Sequence, residues 1–267
     1  MKKNYKAIIT DYDNTLAGFH QKIDETLRRK IVTSTKNGLI FTIATGRAFT
    51  GIIQEMCTTL KLTSPQIVMG GALIINPVNQ SVLWEELIPA NTVRNIARFL
   101  DAKNLYSVIE TPLCDYSSDG EFVFFFPKKV PVKKISEMPF EPVAKILVVA
   151  YKNNLDEKKI SELEKQIKSD NPGTSVIKFL YEGQWGLDIT SGRATKHTAV
   201  LEYMKLLKLD PEEVVGIGDN FNDYPLLTAC GLKIAMADAP KELIEIADFV
   251  APAQKDGGFL VALNRFF

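Results

Sequence analysis

Asp11 and Asp13 stand directly after the apolar run Ala7-Ile8-Ile9, within Asp11-Tyr12-Asp13-Asn14-Thr15. An unbroken apolar run of this length predicts a buried strand, here Tyr5 to Thr10. Two carboxylates at i and i+2 beyond its end project to the same side. Gathering negative charge there is unfavourable unless a cation, a shared proton or a chemical task requires it. A divalent metal would satisfy both groups, leaving one carboxylate as a nucleophile and the other as an acid or base. Asn14 and Thr15 would turn the chain and supply donors near an anion.

The segments that follow repeat the same layout. Asp24 to Asn37 reads as a helix capped by Asp24, ended by Gly38, and Leu39 to Ala44 as a second strand. Ala48 to Leu60 reads as a helix and Gln66 to Met69 as a third strand, closed by Gly70-Gly71. This β-α-β-α-β order predicts an α/β fold with a doubly wound parallel sheet, its ligand loops at the carboxyl ends of the strands. Asp11 and Thr45 both fall at such ends.

The stretch from about Ser81 to Gly186 has a different texture and reads as a small inserted α/β domain. Its expected elements are a helix over Asn91 to Ala102, strands over Leu105 to Glu110, Glu121 to Phe126 and Val143 to Tyr151, and a last strand over Thr174 to Leu180. Leu155 to Ser169 is amphipathic, with Ile160, Leu163 and Ile167 on one stripe. After it the first texture returns, with a helix over Ala194 to Leu207 and a strand over Glu213 to Ile217 that ends at Gly218-Asp219. The expected division is a discontinuous core of residues 1–80 and 187–267, split by an insert of residues 81–186.

Composition narrows the partners. The 32 basic and 32 acidic residues cancel, so no global field favours nucleic acid or an anionic membrane. No run approaches membrane-spanning length. Cys57, Cys114 and Cys230 are scattered and odd in number, as expected for thiols in a reducing cytoplasm. With only His20 and His197, a histidine-rich zinc centre is not expected.

Four signals occur in order at strand ends or helix starts: Asp11/Asp13, Ala44-Thr45-Gly46-Arg47, Lys196 within Arg193-Ala194-Thr195-Lys196, and Gly218-Asp219-Asn220-Phe221-Asn222-Asp223. Together they resemble the four motifs of the haloacid dehalogenase (HAD) superfamily of phosphohydrolases. The long insert resembles that of the Cof-type, large-cap sugar-phosphatase branch. The resemblance implies a Rossmann-like core with an α/β cap and hydrolysis of a small phosphorylated metabolite, sugar phosphates first, with Mg²⁺ as cofactor. It implies Asp11 as nucleophile and metal ligand, and Asp13 as acid and base that also lends its backbone carbonyl to the metal. It further implies Asp219 as a metal ligand, and Asp223 as the residue that holds metal water or orients the other ligands.

For phosphate or substrate binding the resemblance implies Asn14, Thr45, the Gly46 amide at a helix start, Lys196 and Asn222. Arg47 has two readings, a substrate contact or a salt bridge on the core surface. A phosphotransferase or sugar-phosphate mutase would use the same residues, and a phosphosugar sensor is disfavoured because every expected catalytic residue is present.

Two positions depart from the family pattern: Asn14 replaces a usual glycine, and Gly70-Gly71-Ala72 replaces Asn-Gly-Ala. Both bear on substrate preference rather than on the reaction. Lys128, Lys129, Lys133 and Lys134 read as a solvated edge, the run Phe122 to Phe126 as insert core, Trp185 as either hinge packing or a substrate contact, and His20 as a surface loop residue.

Overall fold

The computed structural model describes residues 5–18, 23–111, 114–121, 131–181 and 183–267. His20, Lys128, Lys129 and the aromatic run 122–126 lie outside them. The chain forms two compact units, one of residues 1–47, 53–84 and 195–267, the other of residues 48–52 and 85–194.

In the first unit β1 (Ala7–Thr10) is buried along its whole length. α1 (Glu25–Lys36) follows, with the Asp24 carboxylate accepting from the Thr26 and Leu27 amides at 2.8 and 3.1 Å. Leu27 and Ile31 form its buried stripe. Gly38, at φ +97°, turns the chain into β2 (Ile40–Ile43).

α2 (Ile52–Leu60) starts four residues later than expected from Ala48. The reason is local: Arg47 O accepts from the Met69 amide and Thr45 O from the Gly70 amide, at 2.8 and 3.0 Å, so this loop is tied sideways and does not coil. β3 (Gln66–Val68) meets the residue just after β2 through an isolated parallel bridge, Ala44 to Ile67. It otherwise pairs antiparallel with β4 (Leu73–Ile75), which joins β5 (Val82–Glu85) in a three-stranded sheet. The parallel pattern expected of the third strand thus gives way to a hairpin.

The second unit holds α3 (Ala90–Ala102), β6 (Ser107–Glu110), β7 (Asp115–Ser117), β8 (Val132–Lys134) and β9 (Lys145–Val148). α4 (Ala150–Asn153), α5 (Glu157–Asp170), β10 (Thr174–Tyr181) and β11 (Gln184–Ser191) complete it. The apolar run expected as one strand from Val143 to Tyr151 is strand only at its centre and turns helical from Ala150. Its six strands are ordered β10-β11-β9-β6-β7-β8. Ile160, Leu163 and Ile167 of α5 pack with Val93, Ile96 and Leu100 of α3 on one sheet face. Each such side chain contributes on the order of 2 kcal/mol by leaving water. Leu187–Ser191 continue β11, so this unit extends past the expected return at 187, and Trp185 packs against its core. Lys133 and Lys134 are exposed.

The chain re-enters the first unit with α6 (Lys196–Leu207), β12 (Val214–Gly218), α7 (Tyr224–Ala229), β13 (Leu232–Met236), α8 (Lys241–Ile246), β14 (Phe249–Ala251) and α9 (Gly258–Phe266). Five parallel strands run in the order β14-β13-β12-β1-β2. α6, α7 and α8 cover the face of Ala7 and Ile9, while Phe259 of α9 packs on Phe41 of the opposite face at 6.1 Å between ring centres. Helices therefore lie on both faces, as a doubly wound sheet requires.

Candidate active site

β1 sits between β2 and β12, with Thr10 level with Ile43 on one side and Ile217 on the other. That register brings three chain segments out of the sheet side by side. The Asp11 amide donates to Ile217 O at 2.9 Å and the Ala44 amide to Thr10 O at 2.7 Å. Asp11, Thr45 and Asp219 are thus neighbours because their strands are.

Lys196 is the first residue of α6, whose cap is the Thr195 hydroxyl. Its Nζ donates to Asp11 Oδ1 at 2.5 Å and Asp223 Oδ1 at 2.6 Å, and the side chain is 3% exposed. The close approach depends on Gly71, at φ +99°: a Cβ there would lie 2.4 Å from Thr195 O. Asp223 is fully buried, and its Oδ2 accepts from the Asp219 and Asn220 amides at 3.0 and 3.1 Å. Gly218 makes room for it, since a Cβ at 218 would meet Asp223 Cβ at 2.4 Å. The Asp223 side chain thus fills the space that a Cβ at 218 would take.

Carboxylate oxygens of Asp11, Asp219 and Asp223 come within 4.8 Å of one another. Burial pushes the Asp11 carboxyl well above the usual range, and Asp223 and Asp219 add to this against the opposing pull of Lys196. Burial also lifts Asp219 to about 7, helped by Asp223 and opposed by a hydrogen bond from the Thr15 hydroxyl. For Lys196 burial works against the charge, but Asp11 and Asp223 outweigh it and raise its pKa. Three carboxylates face one lysine, so the ionised cluster carries excess negative charge that a proton or a cation relieves. All-oxygen donors suit a hard divalent ion such as Mg²⁺.

Asp13 is half-buried, and Arg47 grips it with two bonds, Nε to Oδ2 at 2.7 Å and Nη2 to Oδ1 at 2.5 Å. Thr45 is buried, and its hydroxyl accepts from the Arg47 amide at 3.2 Å. Gly46 lies in the same bend, six residues ahead of α2, so the expected helix start at its amide is absent. Asn14 takes φ +56°, the backbone region its glycine-like position needs, and is exposed. Asn222 is exposed on the turn Phe221–Asp223. Among the described residues neither asparagine side chain hydrogen-bonds to the carboxylate cluster. Thr15, expected to supply a donor near an anion, donates its hydroxyl to Asp219 across 204 residues. Tyr12, which the sequence reading passes over, lies with its ring 5.7 Å from the Arg47 guanidinium. The sequence signal for Tyr12 is its place between the two aspartates.

His197 Nδ1 lies 3.2 Å from Pro225 O, outside the cluster. Cys57 and Cys230 are buried, which pushes both thiols up to about 12 and makes them poor nucleophiles.

Residues 8–263 match the haloacid dehalogenase-like hydrolase family. The chain belongs to this family. As a HAD-like hydrolase it is similar to YxeH of Bacillus subtilis, 27% identical over 98% of each chain. It is also similar to the phosphoglycolate phosphatase of Methanopyrus kandleri, 25% identical over 97% of this chain and 95% of that one. A haloacid dehalogenase-like hydrolase from Bacteroides thetaiotaomicron shares the fold with a TM-score of 0.83 at 21% identity, covering 99% of this chain and 100% of the other. The HAD subclass IIB sugar phosphatase BT4131 does so at 0.80 and 22%, covering 98% of each. Among the described residues no helix is long and apolar enough to cross a membrane.

Proposed function

We propose that this HAD-like phosphatase is a Mg²⁺-dependent phosphomonoesterase that hydrolyses small phosphorylated metabolites, with sugar phosphates as the leading class, through a phosphorylated Asp11. The observation that carries the reading is the buried Asp11 carboxylate at the end of β1, tied by one oxygen to Lys196 and bordered by Asp219 and Asp223. The sugar-phosphate class rests on the sequence resemblance and on the fold shared with BT4131.

Asp11 and Asp219 would hold the ion with their carboxylates and Asp13 with its backbone carbonyl, while Asp223 keeps Asp219 and Lys196 in place. When bound, Mg²⁺ supplies the positive charge that lets a carboxylate approach a dianionic phosphate. The free Asp11 oxygen attacks phosphorus, and the bond from phosphorus to the leaving oxygen breaks. Asp13 gives its proton to that oxygen, then takes one from the water that attacks the aspartyl phosphate. The bond between phosphorus and Asp11 breaks, and inorganic phosphate leaves. Lys196 neutralises charge on Asp11, and the Thr45 hydroxyl and Gly46 amide hold phosphoryl oxygens without help from a helix dipole.

The test is phosphate release from a panel of hexose phosphates, phosphoglycolate, pyridoxal phosphate and flavin mononucleotide, with Mg²⁺ or chelator. Asp11→Asn is expected to lose at least about 10³-fold of turnover with its fold intact. Metal-independent release, or wild-type rates in Asp11→Asn, would sink the proposal.

A further inference from the structure

Arg47 entered with two readings, and its surroundings separate them. The guanidinium spends Nε and Nη2 on the two oxygens of one carboxylate, Asp13, the planar fork geometry that only arginine provides. The same group lies over the Tyr12 ring at 5.7 Å and its side chain is 15% exposed. Its backbone is pinned too, since Arg47 O accepts from the Met69 amide and the Arg47 amide donates to Thr45 Oγ1. A side chain held from three directions is a fixed part of the site.

The two partners come from different strand ends. Tyr12 and Asp13 follow β1, while Thr45 and Arg47 follow β2, so the ion pair ties the loop carrying the acid and base to the loop carrying Thr45. A carboxylate bound by one oxygen can still swing about its χ angles, whereas one bound by both is fixed in plane and direction.

We infer that Arg47 is a positioning residue for Asp13 and acts on catalysis through that carboxylate, rather than by binding substrate. The inference rests on the reading of Asp13 as acid and base. It has a consequence that substrate binding would not produce. Loss of Arg47 harms those steps that move a proton through Asp13 and spares the one that does not. Departure of nitrophenolate needs little proton donation, because the phenolate is a stable leaving group. Departure of a sugar alkoxide needs it, and so does activation of the water that cleaves the aspartyl phosphate.

The experiment compares wild type, Arg47→Ala and Arg47→Lys with Mg²⁺ on p-nitrophenyl phosphate and a hexose 6-phosphate, in steady state and in the first turnover. In Arg47→Ala, kcat for the hexose phosphate is expected to fall about 10²-fold, while KM changes less than about threefold. First-turnover nitrophenolate release should stay within about threefold of wild type, with phosphate release lagging behind so that a burst appears. Arg47→Lys keeps the charge but loses the fork, and is expected to resemble Arg47→Ala. A tenfold or larger rise in KM with kcat preserved, or equal loss of the nitrophenolate burst and of hexose phosphate turnover, overturns the inference in favour of substrate binding. Full rescue by Arg47→Lys overturns it as well, because charge alone would then suffice. These outcomes all presuppose wild-type turnover that requires Asp11. Its absence would instead defeat the broader proposal.

Discussion

Asp219→Asn turns the electrostatics of the carboxylate cluster into a stability measurement. In the metal-free protein Asp219 is raised from 3.8 to about 7, first by burial and then by Asp223. A carboxyl whose folded pKa is raised favours the folded state when protonated. Its contribution is fully present below about pH 4 and is lost as pH rises through about 7. At about 1.4 kcal/mol for each pH unit, the rise amounts to about 4 kcal/mol. Asparagine keeps the shape without the charge, so in chelator the variant should match wild type near pH 4. It should then become more stable than wild type by up to about 4 kcal/mol at pH 8. Urea unfolding at a series of pH values, each with chelator and with saturating Mg²⁺, reads the difference directly. Mg²⁺ should reverse the order at pH 8, because it stabilises only the protein that binds it well. A difference between the two proteins that stays flat from pH 4 to 8 in chelator would refute the reasoning.

Other perturbations probe the supports of the site. Gly218→Ala places a Cβ 2.4 Å from Asp223 Cβ, and should cost about 1–3 kcal/mol in urea unfolding and reduce turnover as Asp223 shifts. Lys196→Met strips two buried carboxylates of their shared cation, and should cost about 3–5 kcal/mol at pH 8 in chelator, with less loss at pH 5, where a carboxylate can take up a proton. Asp24→Ala removes the cap of α1, and should cost about 1 kcal/mol in unfolding while leaving kcat unchanged.

Much of the local structure is legible in the sequence alone. The Asp24 cap, the turn at Gly38 and the stripe of Ile160, Leu163 and Ile167 each depend on residues within a turn or two of one another. Asn14 carries its meaning in the same way, since its φ of +56° is a property of one residue in one turn. The start of α2 was misread for the opposite reason. What holds residues 45–47 out of a helix is bonding to Met69 and Gly70, more than twenty positions away.

The candidate site divides along the same line. Asp11, Thr45, Lys196 and Asp219 could be nominated from residue type and from their places at strand ends and a helix start. Their partners could not. Thr15 reaches Asp219, Arg47 takes both oxygens of Asp13, and Lys196 bridges Asp11 and Asp223 because β1 lies between β2 and β12 in one particular register. Propensity, capping and periodicity act between near neighbours and are written in the chain itself. Which charges meet depends on strand order and helix packing, where contacts distant in sequence compete and only the folded arrangement selects among them.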